Sequence, residues 1–134
     1  MRRLGDDSDD DFFGDEIFRY TRQDAIRDGY LLDISTAARA RADLKLPSAI
    51  TLGLWEALAR GEKFNPHHPA VMDLCDGVAF AAAGLTSSEW FDREDGGTLF
   101  FTFKSCGRKL SAKFVLGPGD DAMPVVTIML PGED

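Results

Sequence analysis

The chain has 134 residues, 44% of them apolar, and a formal net charge of −8 at pH 7. That length suits one domain with a real core, and such a charge argues against direct nucleic-acid binding, which needs clustered Lys and Arg. No apolar run approaches the ~18 residues of a membrane span, and no apolar stretch follows Arg2 and Arg3, so the expectation is a cytoplasmic protein without signal peptide or membrane contact.

Residues 1–16 stand apart. Seven acids (Asp6, Asp7, Asp9, Asp10, Asp11, Asp15 and Glu16) against Arg2 and Arg3 give the segment a net charge of −5, which leaves −3 for residues 17–134. Crowded like charges resist a fold, so 1–16 reads as a flexible acidic arm and 17–134 as a single domain. Phe12 and Phe13 are the arm's large apolar residues. Asp7, Asp9 and Asp11 alternate like the start of an EF-hand loop. Phe12 stands where that loop needs Gly and Phe18 where it needs Glu, so the calcium pattern fails.

Residues 17–20, IFRY, read as a short extended segment. Thr21-Arg-Gln-Asp24 resembles a capping box, and the helix behind it closes at Gly29. Residues 30–34, YLLDI, read as another short extended piece. Ser35 or Thr36 is placed to cap an Ala- and Arg-rich stretch that Pro47 ends. Residues 48–60 read as a helix capped at Ser48 or Thr51 and stopped by Gly61, with Leu54, Trp55, Leu58 and Ala59 on one face. In the loop GEKFNPHHP, Asn65, Pro66 and Pro69 punctuate the next helix start. Val71, Leu74, Cys75, Val78 and Ala82 then repeat at buried-helix spacing, closing near Gly84. Thr86-Ser-Ser-Glu89 is a further capping-box pattern before Trp90 and Phe91.

From Thr98 the period falls to two. Leu99, Phe101 and Phe103 alternate with Phe100, Thr102 and Lys104. Leu110, Ala112, Phe114 and Leu116 alternate with Lys109, Ser111, Lys113 and Val115. Val125, Thr127 and Met129 alternate with Val126, Ile128 and Leu130. Helices first and strands last predict an α+β fold, with N-terminal helices packed on a C-terminal three-stranded antiparallel meander.

Candidate chemistry is sparse. The two cysteines, Cys75 and Cys106, read as reduced, the first on a core stripe and the second in a turn where Arg108 and Lys109 would lower its pKa. His67 and His68 read as a solvated pair, either of which could cap the next helix. No set of ligands with metal spacing accompanies them, so neither metal nor cofactor is expected. The segment GPGDD at 117–121 leads into a strand rather than a helix and carries two acids, which fits a turn rather than a phosphate cradle. No nucleophile elbow, metalloprotease, P-loop or dinucleotide fingerprint is present, so no catalytic residue is assigned.

The stretch IFRYTRQDAIRDGYLLDIS, the Trp55 helix and the ending GPGDD…PVVTIMLPGED resemble a family of small proteins commonly carried on bacterial plasmids and integrative elements. The likeness runs from about residue 17 to residue 134 and is weakest over 61–95. It carries over no activity. It implies a setting, because acidic accessory proteins of mobile elements often antagonise host defences by occupying basic channels of nucleic-acid-handling machinery. The resulting expectation is a non-enzymatic acidic binding module, an inhibitor of anti-CRISPR or anti-restriction type. Its partner would be a basic host protein or nucleic-acid-processing complex. Asp6, Asp7, Asp9, Asp10 and Asp11 would steer association, Phe12 and Phe13 would anchor it, and Asp120 and Asp121 form a second acidic candidate. Two alternatives stand beside it. One is an enzyme whose site gathers Arg22, Asp28 and the GPGDD turn; the other is a maintenance protein dimerising through a sheet edge.

Overall fold

The structure, a computed structural model, describes residues 20–83 and 97–133. Its elements in chain order are α1 (Arg22–Asp28), β1 (Leu31–Asp33), α2 (Ser35–Ala42), β2 (Ser48–Thr51), α3 (Leu52–Ala59), α4 (Pro69–Ala82), β3 (Thr98–Ser105), β4 (Arg108–Pro118) and β5 (Pro124–Met129). The acidic arm, the IFR of IFRY, and the capping-box pattern at Thr86 with Trp90 and Phe91 lie outside the described residues.

The fold is α+β, but its sheet is not a three-stranded meander. Five strands lie in the order β1-β2-β5-β4-β3. The three C-terminal strands pair antiparallel through β4. β5 then pairs in parallel with β2, Ser48 opposite Val126 and Ile50 opposite Ile128, and β1 closes the far side antiparallel to β2.

One stretch read as helix therefore supplies a strand. Residues 48–51, SAIT, looked like the start of a helix. They form β2 instead, with Ser48, Ala49 and Ile50 all buried. A short apolar run carries no period of its own, and here the strands on either side decide its state. The helix begins only at Leu52, where the Thr51 hydroxyl accepts the Leu54 N–H at 3.1 Å. Within the extended piece at 30–34, residues 31–33 form β1, paired with β2.

α2 is not capped by Ser35 or Thr36; the Asp33 carboxylate accepts its first N–H, from Ser35, at 2.8 Å. Ile34 occupies the N-cap position. The Ser35 hydroxyl turns to β2, accepting the Ser48 N–H at 2.9 Å and donating to the Ser48 carbonyl at 3.3 Å. The helix stops at Asp43 in the left-handed conformation, before Pro47 is reached.

The strand alternation sets the two faces. Phe101 and Phe103 from β3, Ala112 and Phe114 from β4, and Val126 and Ile128 from β5 enter the core. They meet Leu54, Trp55 and Leu58 from α3 and Val71, Leu74, Cys75 and Val78 from α4. Gly77 is what lets α4 lie so close to β3, since a Cβ there would fall 2.6 Å from Cβ of Phe103. β3 and β4 are joined by Cys106 and Gly107, both at positive φ (51° and 78°). That is the signature of a type I′ hairpin turn, which matches the strand twist.

Candidate functional site

The acidic groups flanking β5 were the strongest site candidates within the domain, and both ends of that strand turn out to hold helices. Gly119 donates to the Met123 carbonyl at 2.7 Å and Ala122 to the Gly119 carbonyl at 3.0 Å, closing the GPGDD turn. A side chain at Gly119 would force a shift there, because an added Cβ would come within 2.8 Å of the Val125 side chain. The turn projects Asp120 onto the start of α1. Its two carboxylate oxygens accept the N–H groups of Arg22 (2.8 Å) and Gln23 (3.0 Å). Thr21 Oγ1 accepts the Asp24 N–H, and the Asp24 carboxylate accepts the Thr21 N–H in return, so the capping box forms as the sequence indicates. All the backbone donors that a helix start leaves over are thereby paired. GPGDD does not cradle an anion; it supplies one to a helix N-terminus.

The same anchor is doubled by a side chain. Half-buried Arg22 donates to Thr127 Oγ1 at 2.6 Å and to the Val126 carbonyl at 2.7 Å. Burial pulls its pKa down, while the Asp33 and Asp120 carboxylates act against that shift. Asp28 is directed elsewhere and accepts the Tyr20 hydroxyl at 2.8 Å. Desolvation and this bond push the Tyr20 phenol up to about 12. Arg22 and Asp120 do converge, but on the scaffold. Asp121 accepts the Met123 N–H within its own turn.

At the other end of β5, Glu133 is not left in solvent. Its Oε2 accepts the Thr51 hydroxyl at 2.8 Å and the Leu130 N–H at 2.8 Å. The carboxylate rests against Gly53, where a Cβ would lie 3.1 Å from Oε1. Thr51 thus caps α3 while being held by Glu133. No sequence rule pairs a helix start with an acid 82 positions away; the nearest signal was the clustering of acids at the two strand ends.

His68 and Arg108 are also in use. His68 is no solvated loop residue. It is the N-cap of α4, its Nδ1 accepting the Ala70 N–H at 3.0 Å, so the ring proton sits on Nε2, 3.1 Å from Glu62 Oε1. Its ring packs edge-on against Trp55, whose indole N–H donates to the Glu62 carbonyl. Arg108 does not sit over the Cys106 thiol. Its guanidinium donates to the carbonyls of Ala57 and Leu58, closing the C-terminal end of α3. Cys106 is exposed on the hairpin, while Cys75 is buried and free. Burial, helped by the Asp76 charge and opposed by Arg41, pushes the Cys75 thiol up to about 11.

Among the described residues no group of three or more His, Cys, Asp or Glu is arranged to hold a metal ion, and no helix is long and apolar enough to cross a membrane. What the fold does present is a surface. The sheet face opposite the core carries an open hollow of about 310 Å³, lined by Phe100, Phe101, Thr102, Ser111, Ala112 and Pro131. Phe100 is 60% exposed there. No family model, no curated protein and no solved structure matches this chain.

Proposed function

We propose that the chain is a cytoplasmic protein-binding module without chemistry of its own. It would engage a basic, nucleic-acid-handling protein surface as an inhibitor carried by a mobile element. One observation carries this reading: Asp120, Glu133, His68 and Arg108 hold helix ends in the domain, whereas most of the excess charge lies in residues 1–16. A charged segment set apart in this way suits long-range steering and mimicry of a polyanion. The resemblance we read in segments 17–35 and 117–134 to mobile-element proteins would supply the setting.

The test is to identify a host partner by affinity capture and then change Asp6, Asp7, Asp9, Asp10 and Asp11 to Asn together. Affinity should fall at least about tenfold and lose most of its salt dependence, as expected when several charges stop steering association. Unchanged affinity and salt slope would sink the reading.

A further inference from the structure

We propose that the outer face of β3 and β4 is a docking site for this chain's own residues 9–16, an acidic segment built around Phe12 and Phe13. The face consists of three rungs. Phe100 lies opposite Lys113, Thr102 opposite Ser111, and Lys104 opposite Lys109. Thr102, Lys104, Lys109 and Ser111 are exposed, and Lys113 is half-buried. The hollow described above opens between Phe100, Thr102, Ser111 and Pro131. An apolar hollow is therefore bracketed along the strands by lysines, two at one end and one at the other.

Lys104 and Lys109 face each other directly, an arrangement that destabilises a sheet unless an anion lies between them. In a chain of net charge −8, three lysines gathered on one face mark it for an acidic ligand. The arm has the complementary order. Asp9-Asp10-Asp11 precede Phe12-Phe13, and Asp15-Glu16 follow, so an aromatic pair is bracketed by acids. Phe12 or Phe13 fills the hollow against Phe100, and the flanking carboxylates meet the lysines.

The connection allows it. Arg22 lies on Thr127, which shares this outer face with Phe100 and Lys113. Phe100 lies two strands across and two residues along from Thr127, about 12 Å. Phe13 precedes Arg22 by nine residues, which reach roughly 30 Å when extended. Tethering supplies an effective concentration near the millimolar range, so a shallow site suffices. The docking stands on the sheet face itself and holds whether or not a host partner exists. If both hold, the partner must displace the arm from the sheet.

The experiment uses the full chain carrying Ser8→Cys and Cys106→Ser, with a nitroxide at position 8 and Cys75 left buried. Amide signals of Phe100, Thr102, Lys104, Ser111 and Lys113 should broaden, and ~1 M salt should reverse most of it by screening. Lys104→Glu with Lys109→Glu and Lys113→Glu should cut the broadening at least about fivefold. So should Phe12→Ser with Phe13→Ser, a change confined to the arm. Broadening elsewhere, or none, would overturn the proposal. So would comparable broadening when a spin-labelled, isotope-free chain is mixed with an isotope-enriched chain lacking the spin label, since the occupant would then be a second copy.

Discussion

Ser105 and Gly77 show how much a single position can carry in this chain. The Ser105 hydroxyl is buried without a hydrogen-bond partner among the described residues. An unpaired buried hydroxyl costs roughly 1–3 kcal/mol, so Ser105→Ala should raise stability by up to about 1 kcal/mol, read as a higher urea midpoint at unchanged slope. Gly77→Ala should do the opposite. Alanine is worth ~1 kcal/mol more than glycine inside a helix, but a Cβ 2.6 Å from Phe103 forces α4 off β3. Overpacking of that kind costs ~1–3 kcal/mol, and the loss wins. The two thiols should separate cleanly. A disulfide reagent at pH 8 should titrate Cys106 at once and reach Cys75 only after denaturation, because burial keeps the Cys75 proton on to about pH 11.

At the scale of elements, the short helices depend on caps drawn from far along the chain. α1 has seven residues, too few to hold by propensity. Asp120→Ala removes the acceptor for two of its N–H groups and should cost about 1–2 kcal/mol. Faster hydrogen exchange at Arg22 and Gln23, with the hairpin amides of β3 and β4 unaffected, would distinguish local fraying from global loss. α2 and α4 are tied by a bidentate pair, Arg41 Nε and a terminal guanidinium nitrogen to the two Asp76 oxygens at 3.0 and 2.7 Å. The Arg41 hydrogen bond holds the Asp76 pKa below the usual carboxylate value. A depressed folded pKa gives stability that is present above the unfolded value near 3.9 and is lost as pH falls through the folded one. Since both side chains are about half exposed, solvent screening limits the effect to well under 1 kcal/mol. Asp76→Asn should therefore lower stability slightly at pH 7 and flatten its decline below about pH 4, measured by urea melts across pH.

At the scale of the whole molecule, β5 is the centre of the assembly. It sits mid-sheet between β4 and β2, and its two flanking turns deliver Asp120 to α1 and Glu133 to α3. Removing the last residues should then do more than shorten a tail. Glu133→Ala frees the Thr51 hydroxyl and the Leu130 N–H together, and a loss of about 1–2 kcal/mol in a thermal melt is expected. The loss should shrink if Thr51 is already Ala, because the two residues share one network.

Periodicity and punctuation were enough for much of this. The Thr21 box and the Gly29 stop gave α1, the Val71-to-Val78 spacing gave the buried face of α4, and strict alternation gave which residues of β3 and β4 enter the core. These signals are local, because helix period, caps and strand pleat depend only on neighbours a few residues apart. Tertiary structure alone decided that SAIT is a strand, that β5 pairs in parallel with it, and that Asp120, Glu133 and Arg108 close helix ends up to 98 positions away. An unpaired carboxylate near a turn has the same sequence signature whether it waits for a ligand or finds a helix. Only the folded chain brings an N-terminus within 3 Å of it, and so turns a candidate site into a structural joint.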